Sequence, residues 1–203
     1  MDDSNRHIAP VGSIMARMGQ QQWSWEAAQF ENIESENVRT EAAGSSWDVM
    51  IEAPNRAWGY RIPLPEEARV FIMWRTRLEV LHVLGNISPG VAYFDGPEGL
   101  SFQIDAAARL AELRHVRNSS ETVRVARFDL PDLAAPFDML LELNAVTKAC
   151  TGIVNGEKIF EVALPVKTVP AFEAVTDVEI LTTTPPDAGG GTVGYGELTL
   201  QCE

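Results

Sequence analysis

Turn-forming residues interrupt this sequence at short intervals, and their spacing constrains the fold more than any other feature does. Groups of Gly, Pro, Asn and Asp interrupt the sequence about every 8 to 15 residues, and the runs between them are rich in the Val, Ile, Phe, Thr and Leu that strands favour. This rhythm predicts a series of short strands rather than a helical fold. The predicted strands are residues 47–52, 58–62, 70–83, 90–94, 100–105, 122–128, 137–145, 151–154, 158–164, 175–183 and 192–201.

The longest apolar run, residues 70–83, alternates as a strand with one buried face does. Its even-numbered positions are apolar or Thr, whereas Arg75, Arg77 and Glu79 occupy the other side. A period of two places alternate side chains on opposite faces of a sheet. The even-numbered face is therefore predicted to pack on the core, and His82, which continues it, is predicted to be a hydrogen-bonded core residue.

The dipeptide Asn155-Gly156 is the sharpest local signal in the chain. It lies between two strand-like runs, residues 151–154 and 157–162. A two-residue type I′ turn needs positive φ at both central positions, which Asn and Gly tolerate best. The sequence therefore predicts an antiparallel hairpin at this point.

Residues 105–114 do not fit the strand pattern cleanly. They contain several Ala and Leu, with Asp105 placed as a helix N-cap and Leu110 and Leu113 at helical spacing. The segment is predicted to be a short helix, an irregular crossover or a strand, and the residues leave all three open.

Length and composition favour one domain. All-β sandwiches reach about 200–250 residues as single units, and this 203-residue chain has an ordinary globular composition, 45% hydrophobic and 22% charged. Residues 1–22 are largely polar and lack periodicity. They are predicted to form an extended N-terminal arm that contacts a neighbouring chain, and residues 23–203 to form a single β-sandwich domain.

Charge and cysteine content narrow the classes of partner and compartment. A formal net charge of −13 repels phosphate backbones and anionic lipid surfaces, so neither nucleic acid nor a membrane is expected as a partner.

Residues 1–30 contain no uninterrupted apolar segment, and the expectation is synthesis in the cytoplasm without a signal peptide. Cys150 and Cys202 are too few for a disulfide framework and are expected to be free, buried thiols.

Three stretches together resemble a known family. They are the strand 137–143, the Val-Asn-Gly hairpin within 152–160, and the Gly-rich loop leading into a closing strand at 190–200. In these features residues 45–203 resemble the concanavalin A-like lectin and glucanase sandwiches, which include the laminin G-like modules. The resemblance implies an all-β, antiparallel, two-sheet jelly-roll sandwich whose concave sheet often binds glycans. This superfold also carries hydrolases, lyases and structural modules, so it does not fix the function.

The catalytic patterns of that family are missing from the sequence. Its glycosidases carry Glu-x-Asp-x-Glu or Glu-x-Asp-x-x-Glu on a strand, because nucleophile and acid must lie close together. The nearest fragment here is Asp177-Val-Glu179. Its alginate-lyase-like members carry an Arg-bearing strand and a Gln-Ile-His strand. The corresponding segments here are 75–79 and 102–104, with Asp105 in place of the His. No catalytic residue is therefore predicted.

A ligand face and an ion site remain as candidates. Trp58 and Tyr60 share one strand face, and with Arg75, Arg77 and Glu79 they are the predicted ligand-binding residues, because aromatic rings stack on sugars and charged groups bind their hydroxyls. No cofactor is predicted, although the resemblance makes calcium a candidate ion. Its oxygen ligands would come from aspartates at strand ends, which are Asp95, Asp129, Asp132, Asp138 and Asp187.

These observations favour a non-catalytic interaction module. It is predicted to bind a glycan, to form an assembly with copies of itself or other proteins, or both. Sandwiches made without a secretion signal suit the decoration or tail proteins of a bacteriophage particle, which leaves the cell by lysis. The alternative is a polysaccharide-degrading enzyme of the same fold, a glycoside hydrolase or lyase.

Overall fold

The computed structural model describes residues 6–8, 14–17, 20–25, 34–117, 121–165, 172–187 and 189–203. Nearly all of its regular structure is β-strand. The strands are β1 (Arg6–Ile8), β2 (Ile14–Arg17), β3 (Gln20–Trp25), β4 (Glu34–Ser35), β5 (Val38–Ala43), β6 (Ser46–Ile51), β7 (Ala57–Pro63), β8 (Met73–Gly85), β9 (Ser88–Asp95), β10 (Glu98–Asp105), β11 (Leu110–Arg117), β12 (Glu121–Asp129), β13 (Phe137–Asn144), β14 (Ala149–Val154), β15 (Glu157–Ala163), β16 (Asp177–Thr183) and β17 (Gly191–Cys202). A single-turn helix, α1 (Glu66–Arg69), precedes β8.

The strands form two sheets that pack face to face. The first has seven strands in the order β1-β7-β16-β9-β10-β11-β12. The second has ten, in the order β15-β14-β13-β8-β17-β6-β5-β4, with β3 and β2 beside the second half of β17. Among the strands that the structure describes, every pairing is antiparallel except that of β1 with β7. The described residues thus form the antiparallel two-sheet sandwich that the sequence predicted.

The core lies between the sheets and follows the alternation of the strands. Along β8 the inward side chains include Trp74, Leu78 and Val80, and along β13 every second residue from Phe137 is buried. The inner face of the seven-stranded sheet contributes the facing layer, including Trp58, Tyr93 and Phe102. Burial of these side chains is the main stabilising contribution to such a sandwich.

Each predicted strand is confirmed, with its ends shifted by a few residues. The Asn155-Gly156 hairpin is confirmed too, since β14 pairs with β15 around these two residues, which have φ of 49° and 80°. The segment 105–114 is a turn followed by a strand. Asp105 Oδ1 accepts a hydrogen bond from the Ala108 N–H at 2.8 Å, so the predicted cap closes a turn rather than a helix.

The prediction for the ends of the long strand is wrong in two respects. The strand begins at Met73, which leaves Val70 and Ile72 outside it and exposed. At the other end, β17 pairs Tyr195 with Val80 but Gly194 with His82. This bulge inserts one extra residue into β8 and reverses its alternation. His82 therefore lies on the outer face, partly exposed, with its Nε2 3.6 Å from Asp48 Oδ1.

Parts of the N-terminal segment add strands to the sandwich. β1 pairs with β7 in the first sheet, and β3 pairs with both β17 and β2 in the second. The predicted arm of residues 1–22 lies partly outside the described residues. Its boundary and its role at an interface stay predictions.

The two cysteines are free and buried, as predicted. Within the part of the chain that the structure describes, no helix is long and apolar enough to cross a membrane.

Candidate functional site

The outer face of the seven-stranded sheet carries the candidate site. On β10, Leu100, Phe102 and Ile104 point into the core, so Gln103 and Asp105 point outward. The pairing of β10 with β11 places Glu112 opposite Gln103 and Leu110 opposite Asp105. Polar side chains of neighbouring strands thus share one surface.

A cleft of about 390 Å³ opens on this surface, within the range of small-ligand pockets. The loops before β7 and after β16 border it, together with the adjoining ends of these two strands, and β9 to β12 contribute the rest. Its lining residues are Asn55, Arg56, Ala57, Ser88, Gln103, Asp105, Leu110, Glu112, Arg114, Arg124, Arg127, Thr183, Thr184, Pro185 and Pro186. None of these described lining residues is aromatic, and hydrogen-bonding and charged side chains predominate.

An irregularity between β11 and β12 brings the arginines together. Glu112 pairs with Arg127, but after a register shift Arg114 pairs with Arg124. In a regular strand, two residues three positions apart point to opposite faces. The bulge shifts the alternation of β12 by one residue between these two positions, so Arg124 and Arg127 point to the same face and both line the cleft.

Glu112 holds two of these arginines in place. Its Oε2 accepts a hydrogen bond from Arg114 Nε at 2.8 Å, and its Oε1 lies 2.9 Å from Arg124 Nε. The remaining arginines of the cleft, Arg56 and Arg127, form no ion pair with any residue that the structure describes. The cleft therefore has two guanidinium groups bound to its own carboxylate and two that are available to a ligand.

Thr184 holds the loop before β7, which carries Arg56 on one side of the cleft. The Thr184 hydroxyl accepts a hydrogen bond from the Arg56 N–H at 3.0 Å and donates one to the Ala53 carbonyl at 2.8 Å. Backbone hydrogen bonds from Asn55 to Pro185 and from Thr184 to Arg56 join the same two loops. The backbone at Arg56 is thus positioned before any ligand binds.

Gln103 lies in the floor of the cleft and is only 5% exposed. Its Oε1 accepts a hydrogen bond from the Thr183 hydroxyl at 3.2 Å. A Cβ at Gly90 would lie 2.9 Å from Gln103 Cγ, so the glycine makes room for this side chain. Among the described residues, the amide nitrogen of Gln103 has no hydrogen-bond acceptor and remains free to donate to a ligand.

The structure does not bring the five predicted ligand residues together. Trp58 and Tyr60 are 1% and 2% exposed, and both pack edge-on against Trp47 in the core, at 4.8 and 5.6 Å between ring centroids. They point to the inner face of the seven-stranded sheet and offer no surface for stacking on a sugar. The alternation of β7 was read correctly, but its buried face was taken for an exposed one.

The other three predicted residues lie on the outer face of the ten-stranded sheet and bind its own side chains. Arg77 forms an ion pair with Asp138 at 2.8 Å, and Arg75 is hydrogen-bonded to Glu142. Glu79 Oε2 accepts a hydrogen bond from the backbone N–H of Glu197 at 3.3 Å. The two arginines are thus paired with acids of β13, and Glu79 is hydrogen-bonded to the backbone of β17.

Both carboxylates of the fragment Asp177-Val-Glu179 are likewise hydrogen-bonded to neighbouring side chains. Glu179 is buried and accepts a hydrogen bond from Arg61 Nε at 3.1 Å, while the Arg61 guanidinium lies 3.7 Å from the centroid of the Phe94 ring. Asp177 accepts a hydrogen bond from the Thr176 hydroxyl at 2.6 Å.

The five aspartates considered as calcium ligands do not converge. Asp138 binds Arg77, and Asp132 lies 3.1 Å from Arg109. Asp95, Asp129 and Asp187 follow or end three different strands. Among the described residues no three His, Cys, Asp or Glu side chains form a group that could hold a metal ion.

Sequence reasoning missed the cleft arginines, although a signal was present. Arg114, Arg124 and Arg127 fall within fourteen positions of a chain whose net charge is −13. Because their spacing is irregular, the alternation alone assigns Arg124 and Arg127 to opposite faces. Only the register of β11 on β12 places both on one side.

No family model and no curated protein sequence matches this chain. Solved structures match it in fold. A galectin-like protein of unknown function from Bacillus subtilis has a TM-score of 0.59 at 11% identity, with 95% of this chain and 97% of that one covered. The apo Crh5 transglycosylase has a TM-score of 0.56 at 6% identity, covering 88% and 83%. A protein of unknown function from Shewanella oneidensis MR-1 has a TM-score of 0.53 at 10% identity, covering 96% and 90%. At these identities the likeness shows a galectin-like β-sandwich and nothing further.

Proposed function

We propose that this chain is a glycan-binding module of the concanavalin A-like type, and that the cleft on its seven-stranded sheet is the binding site. The observation that carries the proposal is the set of outward polar side chains around Gln103, Glu112 and Thr183 on one sheet face. Side-chain amides, hydroxyls and carboxylates supply the donors and acceptors that sugar hydroxyls need. In the family that the sequence resembles, the concave sheet often binds glycans.

A solved neighbour supports a saccharide ligand. The Crh5 transglycosylase, with a TM-score of 0.55 at 7% identity, has a structure in complex with NAG. The proposal extends saccharide binding, without the transferase reaction, to the present chain.

The state of the two cleft carboxylates supports a non-catalytic role. Glu112 is bound by two arginines, and Asp105 closes the turn before β11. A general acid or nucleophile needs its oxygen free to approach the glycosidic bond. Both carboxylates therefore have structural tasks that compete with catalysis.

The binding proposal is tested with a glycan array followed by calorimetry on the ligands found. Gln103→Ala is expected to weaken binding about tenfold, because it removes an amide donor in the floor of the cleft that has no acceptor among the described residues. Gln201→Ala is the matched control, since Gln201 is exposed on the opposite sheet. Equal loss in both variants, or no loss in Gln103→Ala, would remove the cleft as the site.

The non-catalytic proposal has its own test. Incubation with the glycans that bind is expected to release neither reducing nor unsaturated ends. Release that disappears in Asp105→Asn or Glu112→Gln would instead identify a hydrolase or lyase of the same fold.

We also propose that the N-terminal segment joins the module to other copies or to other assembly proteins, as in a decoration or tail component of a bacteriophage particle. β1 and β3 pair with strands far away in sequence, β7 and β17. The same edges can pair with a neighbouring chain. Size-exclusion chromatography with light scattering, on the full chain and on a chain without residues 1–22, tests this. A monomer in both cases would contradict the assembly role.

A further inference from the structure

We infer that the ligand of the cleft is an acidic saccharide, one that carries carboxylate or sulfate groups. This inference rests on the proposed glycan-binding function and specifies its ligand. It is carried by the two guanidinium groups of the cleft, Arg56 and Arg127, that have no acidic partner among the described residues.

The charge of the cleft is opposite to that of the chain. Four arginines line it against two acids, Asp105 and Glu112, whereas the whole chain has a formal net charge of −13. Long-range repulsion from the rest of the molecule acts against any anion that approaches. An anionic ligand is therefore attracted only at short range, where it contacts the guanidinium groups of the cleft directly.

Ion pairing within the cleft divides its arginines into two kinds. Glu112 is paired with both Arg114 and Arg124, so its single negative charge offsets one of their two positive charges. Arg56 and Arg127 are exposed and project from elements at opposite sides of the cleft, the loop before β7 and the edge strand β12. Four strands separate β7 from β12, so one ligand that reaches both must lie across the strands.

Guanidinium chemistry selects the kind of charged group. A guanidinium offers two parallel N–H donors that match the two oxygens of a carboxylate or sulfate. Gln103 and Thr183, between the two arginines, provide hydrogen-bonding groups suited to the hydroxyls of sugar rings. A long polyphosphate backbone, with a charge on every unit, is disfavoured because the chain has a formal net charge of −13.

Calorimetry with matched pairs of oligosaccharides tests the inference. One pair is oligogalacturonate and its methyl ester, and the other is a sulfated keratan oligosaccharide and its desulfated form. The acidic member of at least one pair is expected to bind about tenfold or more tightly, since hydrogen bonds to charged groups are the stronger ones. The difference is expected to shrink as ionic strength rises. The pair that shows it distinguishes carboxylate from sulfate.

Charge-removing variants identify the groups responsible. Arg56→Gln and Arg127→Gln are each expected to lower affinity for the acidic member and to leave the neutral member unchanged. Arg127→Lys keeps the charge without the paired donors and is expected to fall between. Arg39→Gln, an exposed arginine on β5 of the other sheet, is the matched control and is expected to have no effect. Thermal melts of all four variants confirm that they fold.

The outcomes separate the inference from the proposed function. Equal binding of neutral and acidic members that neither Arg56→Gln nor Arg127→Gln changes would overturn the inference and leave glycan binding intact. Binding of neither charged nor neutral saccharides, on the array or in these pairs, would overturn both. An acidic preference that Arg39→Gln weakens as much as the cleft variants do would assign it to overall charge and also overturn the inference.

Discussion

Several glycines in the two sheets lie directly beneath a larger side chain of the neighbouring strand. Gly99 pairs with Phe94 across β9 and β10, and a Cβ on Gly99 would lie 2.5 Å from Phe94 Cε1. The Arg61 guanidinium covers the ring at 3.7 Å. The ring is held between a glycine and a cation, so it cannot move to admit a methyl group without losing one of these contacts.

Gly99→Ala is expected to lower the free energy of unfolding by about 1–3 kcal/mol, because overpacking displaces Phe94. Gly189→Ala is the control, since a Cβ there meets no atom within 4 Å and Gly189 has no positive φ. Urea denaturation of the two variants measures the difference. Equal midpoints would show that Phe94 moves aside freely.

At the scale of elements, the hairpin of β14 and β15 is fixed by its turn and by a contact outside it. Asn155 and Gly156 have φ of 49° and 80°. The Asn155 Oδ1 accepts a hydrogen bond from the Asp138 N–H at 2.9 Å, and the Asn155 N–H donates to the Asp138 carbonyl at 2.9 Å. One asparagine therefore closes the turn and also attaches it to β13.

Gly156→Ala is expected to cost about 1–2 kcal/mol of stability, because a side chain is strained in the left-handed region. A Cβ at Gly156 would meet no atom within 4 Å, so packing does not add to this cost. Glu157→Ala, at the next exposed position, controls for the general effect of a surface substitution in this hairpin and is expected to change stability little. Thermal or urea denaturation gives both values, and an unchanged Gly156→Ala protein would contradict the strain argument.

Predictability differs among elements for a physical reason. The alternation of β8 and the turn chemistry of Asn155-Gly156 are local, so the sequence displays them directly. Residues 105–114 were ambiguous because their helix formers and the capping Asp105 favour local helix, whereas pairing with β10 and β12 imposes a strand. Tertiary pairing outweighs such weak propensities.

At the scale of the whole molecule, two buried tyrosines link the sheets through the core. The Tyr93 hydroxyl of the seven-stranded sheet donates to the Leu141 carbonyl of the other at 2.7 Å. Tyr195 of the ten-stranded sheet shares a hydrogen bond of 2.7 Å with the Thr182 hydroxyl. Burial raises the pKa of both phenols, and it raises the pKa of the Cys150 and Cys202 thiols, for Cys202 to about 12.

Stability is therefore expected to fall as pH rises above about 9, the usual pKa of these thiols. Above that value the unfolded chain loses protons that the folded protein retains, and each such group can contribute a slope approaching about 1.4 kcal/mol per pH unit. Urea denaturation across the alkaline range measures the slope. Tyr195→Phe removes one of the groups and is expected to flatten it, although the variant starts from a lower stability. A slope that stays the same would assign the alkaline loss to other groups.

Strand alternation and turn chemistry are properties of neighbouring residues, so the amino-acid sequence alone is enough to predict the class of fold. The sequence also contains the arginines of the cleft, but their spacing does not show that they lie on one face of the sheet. Which face of β7 is buried depends on the opposite sheet, and that packing placed Trp58 and Tyr60 in the core. The bulge that aligns Arg124 with Arg127 arises from the pairing of two strands. The direction of a side chain relative to the core depends on how the strands pair and how the sheets pack, so it is set only in the folded chain.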